Sequence, residues 1–416
     1  MELTTFSMHH TTTQYVRTDQ FKTRVISVRF FRDFELEDAA SRYLMFAMLR
    51  AKNETFPTRK AHARHLESLY DALWLGGSSK LGTQAINTLS MVVIDDRYTM
   101  GNTLFEDALK HMRESVFNPV FDETLLEEEK RFLKDLINSE IADKVRHAGR
   151  RFIRHLMAQH PYRGSPRGDL KAIDNVTLAD IKRSYADMRD NSRVFITVVG
   201  DIDVDSTHRC VETIFDLHSV PQASTVIHRH RFEALKRLHE PLESKQTRLF
   251  SSYASDIYFR DDDYLVMETL NCLFGAGSDS MLFNSVREEA ALAYDISSGY
   301  SPTSGLVTVS AGVSLNNVSN VEERVQACLD DIRKENFSED ALALAKKTLI
   351  SGYKQSYDSI GNLSQKALHT ALFDIPFREE TLIGKIEAIR REDLVRVAKT
   401  LRPVFTFSIG GEDDGS

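Results

Sequence analysis

The chain has 416 residues, 42% of them hydrophobic and 27% charged, with a formal net charge of -8. That length suits roughly two to four domains with large apolar cores. The acidic balance excludes the dense Lys/Arg surface of a nucleic-acid binder, and without a run of about eighteen apolar residues no membrane span is expected. The opening MELTTFSMHHTTTQYV lacks a basic stretch followed by an apolar one, so it does not read as a secretory signal. Cys210, Cys272 and Cys328 are widely spaced and form no CxxC, which argues against a disulfide framework or a thiolate zinc site. A reducing, cytoplasmic setting fits this usage.

In chain order, Arg24 to Phe31 follows the polar turn Thr18-Asp19-Gln20 and reads as a strand. Leu36 to Ala51 has helical period, with Ala39, Ala40, Tyr43, Leu44, Ala47 and Met48 at its apolar positions. A helix from Arg59 to Leu75 starts at Pro57-Thr58 and should break at Gly76-Gly77-Ser78-Ser79. Thr83 to Ile94 predicts a strand, and Met100 to Val116 an amphipathic helix. Asp122 to about Phe152 reads as one long charged helix, and His160-Pro161-Tyr162 as a loop. Leu178 to Met188 is a helix and Val194 to Gly200 a strand.

The last two elements recur near the C-terminus. TLADIKRSYADMRDNSRVFITVVGDID and IRREDLVRVAKTLRPVFTFSIGGEDD each place an acid (Asp180, Asp393) near a helix start, then a strand beginning Val-Phe. Val194-Phe195 matches Val404-Phe405, and Gly200 matches Gly410, an offset of 210 residues or half the chain. Helices expected at Tyr264 to Phe274, Val321 to Lys334 and Glu339 to Tyr357 extend the echo. The pattern implies an α+β protein of two homologous halves, 1–217 and 246–416, joined by a polar linker over 218–245. The tail Glu412 to Ser416 reads as lacking fixed structure.

Within the second half, Leu273 to Val313 stands out. Gly275 and Gly277 bound a turn, Asp279 or Ser280 caps a helix carrying Met281, Leu282, Ser285 and Val286, and the helix should fail near Ala290. Leu292 to Tyr300 and Leu306 to Val313 then form a hairpin around Ser301-Pro302-Thr303-Ser304-Gly305. Arg287 falls near the helix end and Tyr294 enters the strand. By residue type alone they are a solvated Arg and a packing Tyr.

Other chemistry is sparse. Neither Gly76-Gly77 nor Gly275-x-Gly277 belongs to a GxxxxGK[ST] phosphate loop, and no GxSxG elbow is present. Of fourteen histidines, His62 and His65 share a helix face by their spacing, but two imidazoles do not make a zinc site. His9-His10 and His228-Arg229-His230 make no site by themselves. Neither HExxH nor HxxEH occurs anywhere.

The two halves, with SVREEAALAYDISSGY following the Gly-rich loop in the second, resemble the insulinase/pitrilysin-type (inverzincin) metallopeptidase family, which includes processing peptidases and respiratory core subunits. Gln20-Phe21-Lys22-Thr23 and His160-Pro161-Tyr162 look most like the bacterial YmfF-type members, non-catalytic homologues lacking HxxEH. The resemblance spans essentially the whole chain. It implies that each half carries a mixed or antiparallel sheet with helices on one face, the halves facing each other as a clamshell. Catalytic members bind zinc through HxxEH and a later Glu. Counting back from the family-like Leu66-Glu67-Ser68-Leu69 puts that window at Leu44-Met45-Phe46-Ala47-Met48, and matching Glu129-Lys130 puts the later ligand at Leu136. Leu44, Ala47, Met48 and Leu136 are thus degenerate zinc positions, and apolar side chains do not ligate such a cation. No metal or other cofactor is expected in this chain, and no catalytic residue of its own.

Arg287 and Tyr294 match the family's substrate-orienting pair. The resemblance therefore implies a pseudo-peptidase subunit of a heterodimeric zinc metallopeptidase, acting in peptide or protein processing, whose HxxEH-bearing sister subunit holds the zinc. A structural scaffold and an autonomous peptide-binding protein are the alternatives. A self-sufficient zinc peptidase using His62 and His65 lacks ligands. Whether the isolated chain forms a homodimer is left open by the sequence.

Overall fold

The computed structural model describes residues 1–8, 11–101, 103–215, 226–233 and 235–411. Its first sheet contains β1 (Glu2–Met8), β2 (Thr11–Arg17), β3 (Thr23–Asp33), β4 (Leu73–Leu81), β5 (Gln84–Ile94) and β6 (Arg193–Gly200), in the order β1-β2-β6-β3-β5-β4. The second contains β7 (Lys236–Pro241), β8 (Thr247–Ala254), β9 (Ala293–Ser301), β10 (Leu306–Val313) and β11 (Arg402–Gly410), in the order β7-β11-β8-β10-β9. Setting β1 aside, the orders correspond strand for strand. β6 and β11, the Val-Phe strands of the sequence repeat, each pair in parallel with one neighbour (β2, β7) and antiparallel with the other (β3, β8). The protein is α+β and its two halves are homologous.

Burial alternates along the strands because side chains alternate across the sheet. On β3, Ile26, Val28 and Phe30 enter the core formed with the helix Ala39–Ala51 and the helix Leu104–Phe117. Val25, Ser27 and Arg29 serve the opposite face. There the helix Ile360–Phe373 packs, with Leu363 and Ala367 against Val16, Val25 and Val199. Polar pins fix it: Gln14 Nε2 donates to the Ala367 carbonyl at 2.7 Å, and Arg29 Nη2 to Ser364 Oγ at 2.8 Å.

Compact units do not follow the sequence halves. One comprises Met1–Ser139, Tyr162–Val226 and Ser356–Arg378; the other comprises Glu140–Pro161, Ile227–Gln355 and Glu379–Ser416. Each half thus gives one helix to the other's unit. Ile360–Phe373 serves the first sheet, and Lys144–Leu156 the second, where Phe152 stacks on Phe250 at 4.6 Å beside Phe405 and Phe407. Arg151 and His155 of that helix both reach Glu240 on β7. The long helix expected from Asp122 to Phe152 is therefore two, Glu123–Ala142 and Lys144–Leu156, parted at Asp143. Its carboxylate accepts from the backbone N–H groups of Val145 and Arg146, so it caps a new helix instead of continuing the old one.

Three further differences arise where tertiary pairing overrides local pattern. The expected helix Arg59 to Leu75 stops at Ser68, and Gly76-Gly77-Ser78-Ser79 is part of edge strand β4, not a break. Gly76, at φ +157, lets β4 close on β5, because a Cβ there would overlap the Thr88 carbonyl. The span read as linker includes β7, which completes the second sheet, while residues 216–225 of the join and the tail 412–416 lie outside the described residues. Strands β1 and β2 had no sequence counterpart among the predicted elements. Among the described residues no helix is long and apolar enough to cross a membrane.

Candidate functional site

Arg287 stands in a helical stretch whose Phe283–Glu289 portion is π-helical, one residue per turn wider than an α-helix. Leu282 and Val286 anchor it in the core, and Ser280 Oγ accepts from the Phe283 N–H at 3.4 Å. The chain leaves through Ala291 at φ +50, and the Leu292 N–H donates to the Val286 carbonyl at 3.0 Å. This is the helix end expected near Ala290. The Arg287 guanidinium lies 4.8 Å from the Phe283 ring centroid, with Glu288 3.9 Å from its Nε, and its side chain is 45% exposed. Arg324 braces the turn from outside, its Nη1 donating to the Ser285 carbonyl and hydroxyl at 3.1 Å each.

Tyr294 is the second residue of β9, an edge strand. Across the ladder Gly312 faces Asp295 and Val313 faces Ala293, so Tyr294 is the extra residue of a β-bulge. It is 63% exposed. Asp295, next to it, accepts from Arg248 Nη1 at 2.7 and 2.8 Å, which holds the bulge to β8. Arg287 and Tyr294 therefore each sit on a local departure from regular backbone, separated by one tight turn. Such irregularities cluster where side chains are aimed at a task. Both groups donate hydrogen bonds, and a guanidinium and a phenol suit a carbonyl oxygen or its oxyanion.

The positions assigned to zinc are occupied differently. Leu44 and Met48 are fully buried in the first unit's main core, Ala47 is half-buried beside them, and Met45, Phe46 and Leu49 complete a continuous apolar wall. Leu136 does not join them. It is 41% exposed on Glu123–Ala142, whose core face is formed by Leu133 and Ile137. Thioether and hydrocarbon side chains packed this way do not fit the family's zinc. Among the described residues no group of three or more His, Cys, Asp or Glu is arranged to hold a metal ion.

The fold does assemble a histidine cluster that sequence spacing did not show. His111 reaches His62, their Nε2 atoms 3.0 Å apart, while His65 stacks on Phe56 with its ring 4.9 Å from that of His111. Burial first, then the neighbouring cations and imidazoles, push His62 down to about 4; burial and the two other histidines push His111 down to about 3. Both are neutral at pH 7 and share one N–H between the two ring nitrogens. His111 is 49 residues from His62, so helical spacing carried no signal for it. His160 likewise meets His230, ring centroids 4.4 Å apart, while His9 and His10 lie outside the described residues.

Residues 175–349, a span containing Arg287 and Tyr294, match the family model described as the Peptidase M16 inactive domain. Along its length the chain is 25% identical over 417 residues to the probable inactive metalloprotease YmfF of Bacillus subtilis, covering 97% of each. Over that span, and in its full-length relative, the chain is similar to the M16 peptidase family. Both matches are described as inactive, in keeping with the HxxEH missing from this sequence. The chain is also 25% identical over 309 residues, 72% of each chain, to the uncharacterized zinc protease YmxG of the same bacterium. Its fold matches a conserved protein from Enterococcus faecalis with a TM-score of 0.91, at 23% identity and full coverage of both chains.

Proposed function

We propose that this chain is the non-catalytic subunit of a heterodimeric zinc peptidase, presenting Arg287 and Tyr294 to the active site of an HxxEH-bearing sister chain that holds the zinc. One juxtaposition carries the reading. The two residues that resemble the family's orienting pair are exposed on a π-turn and a β-bulge, while the zinc positions Leu44 and Met48 are sealed in a core. Exposing two such side chains on backbone irregularities has no packing reason, because neither contributes to a core. As donors, they would brace the substrate carbonyl and stabilise the oxyanion formed when the partner's water attacks. Bacillus subtilis contains one relative named as an inactive metalloprotease and another named as a zinc protease, which supports a paired arrangement.

The test is to mix the chain with the HxxEH-bearing homologue of its own organism and follow peptide cleavage. Activity should need both chains, and in a complex verified by size-exclusion chromatography Arg287→Ala and Tyr294→Phe should each lower turnover by about 10²–10³. Wild-type turnover by either verified variant complex would remove the orienting role. Assembly without cleavage would instead mark a structural scaffold, and capture of extended peptides by the isolated chain would mark a peptide-binding protein.

A further inference from the structure

Arg42, in the first turn of the helix Ala39–Ala51, is 5% exposed, and its Nη1 and Nη2 are buried without a hydrogen-bond partner. Among the described residues no carboxylate lies within ion-pair distance of it. A buried guanidinium left in that state is expensive, because its lost hydration is not replaced. Nearby Arg32 adds repulsion, and burial with this repulsion lowers the Arg42 pKa, against the partial help of Asp38 and Glu35.

Arg42 lines a cavity of about 540 Å³ within the first unit, ample for a small organic molecule. Two other arginines line it, but each has its acid: Arg32 is paired with Asp187, and Arg183 with Asp180 at 3.0 Å. Glu37 and Asp38 also line the cavity and have no ion-pair partner among the described residues. Asp38 leaves the start of the helix without a side-chain cap, so the positive end of that helix dipole faces the same region. The lining thus pairs one unmatched cation with two unmatched carboxylates. A polyanion such as phosphate would meet the acids. A monoanion that also carries a positive charge would answer both.

We propose that this cavity binds a small zwitterion of the amino-acid class, its carboxylate paired with Arg42 and its ammonium facing Glu37 and Asp38. Because the two Nη atoms are buried, pairing requires a local shift that exposes them to the cavity and then takes place in a low-dielectric setting, where a bidentate guanidinium–carboxylate contact is strong. The site is independent of Arg287 and Tyr294, which belong to the other unit.

Calorimetric titration of the full chain with glycine, glycylglycine, acetate and inorganic phosphate tests it. Glycine or glycylglycine should bind at millimolar concentration or below, acetate more weakly and phosphate least. Arg42→Met should weaken the zwitterion by at least about tenfold and fold normally, since it removes an unmatched buried charge. Should Arg42→Met fail to fold, Glu37→Gln provides the second reading by narrowing the difference between glycine and acetate. Absence of binding by every carboxylate probe, tightest binding of phosphate, wild-type affinity in a folded Arg42→Met chain, or an unchanged glycine-to-acetate ratio in Glu37→Gln would each overturn the proposal.

Discussion

Acidification should weaken this protein through His62 and His111. Unfolded, each imidazole takes up a proton near pH 6.5; folded, His62 does so only near 4 and His111 near 3. Between those limits the unfolded state binds more protons, so stability falls as pH falls. The contribution is complete above about pH 6.5 and is lost on the way down to about pH 4 for His62 and to about pH 3 for His111. At about 1.4 kcal/mol per pH unit, the His62 depression alone corresponds to about 3 kcal/mol. The double variant His62→Leu/His111→Phe removes both groups and replaces a buried polar pair by apolar ones beside Trp74 and Phe56, a change that is nearly neutral at pH 7. Urea unfolding at a series of pH values should then show wild type losing roughly 6 kcal/mol more than the variant between pH 7 and 4, about 3 kcal/mol from each imidazole. His369, whose pKa burial likewise lowers to about 4, is present in both proteins and cancels. Parallel stability profiles for the two proteins, or NMR titration of both rings near 6.5, would refute the reasoning.

Leu44→Ala should cost about 2–5 kcal/mol in urea unfolding, because Leu44 is fully enclosed. Rebuilding the motif with Leu44→His, Ala47→Glu and Met48→His should yield a destabilised chain without stoichiometric zinc, read by circular dichroism and metal analysis, since it buries polar groups in an apolar wall and leaves exposed Leu136 unable to ligate. Phe152→Ala should cost about 3–5 kcal/mol, and hydrogen exchange should accelerate first in Lys144–Leu156, whose stack on Phe250 is lost. Gly305→Ala should destabilise by about 1 kcal/mol or more in the same unfolding assay, because the residue has φ +65 and a Cβ would sit 2.9 Å from Tyr258 Cζ.

Local pattern was enough wherever period and burial agree. The alternation of β3, the helical period around Leu44 and Met48, the hairpin of β9 and β10, and the Val-Phe repeat that became β6 and β11 could all be read from the chain. So could the missing HxxEH and the presence of Arg287 and Tyr294, because these are statements about residue identity.

Other features depend on partners distant in sequence. Asp143 divides a helix that looked continuous, since the apolar face beyond it, with Ala148 and Phe152, belongs on the second sheet. Gly76 and Gly77 look like a break until β5 supplies the ladder that makes them a strand. Neither the His62–His111 pair nor the burial of Arg42 can be counted from spacing, because each depends on which distant elements fold over the group. The same division holds at the candidate site. Residue identity established that Arg287 and Tyr294 are present and that HxxEH is not. Tertiary structure decided that Arg287 rides a π-turn and Tyr294 a bulge, since the backbone irregularities that aim both side chains arise only when helix and hairpin are packed and paired.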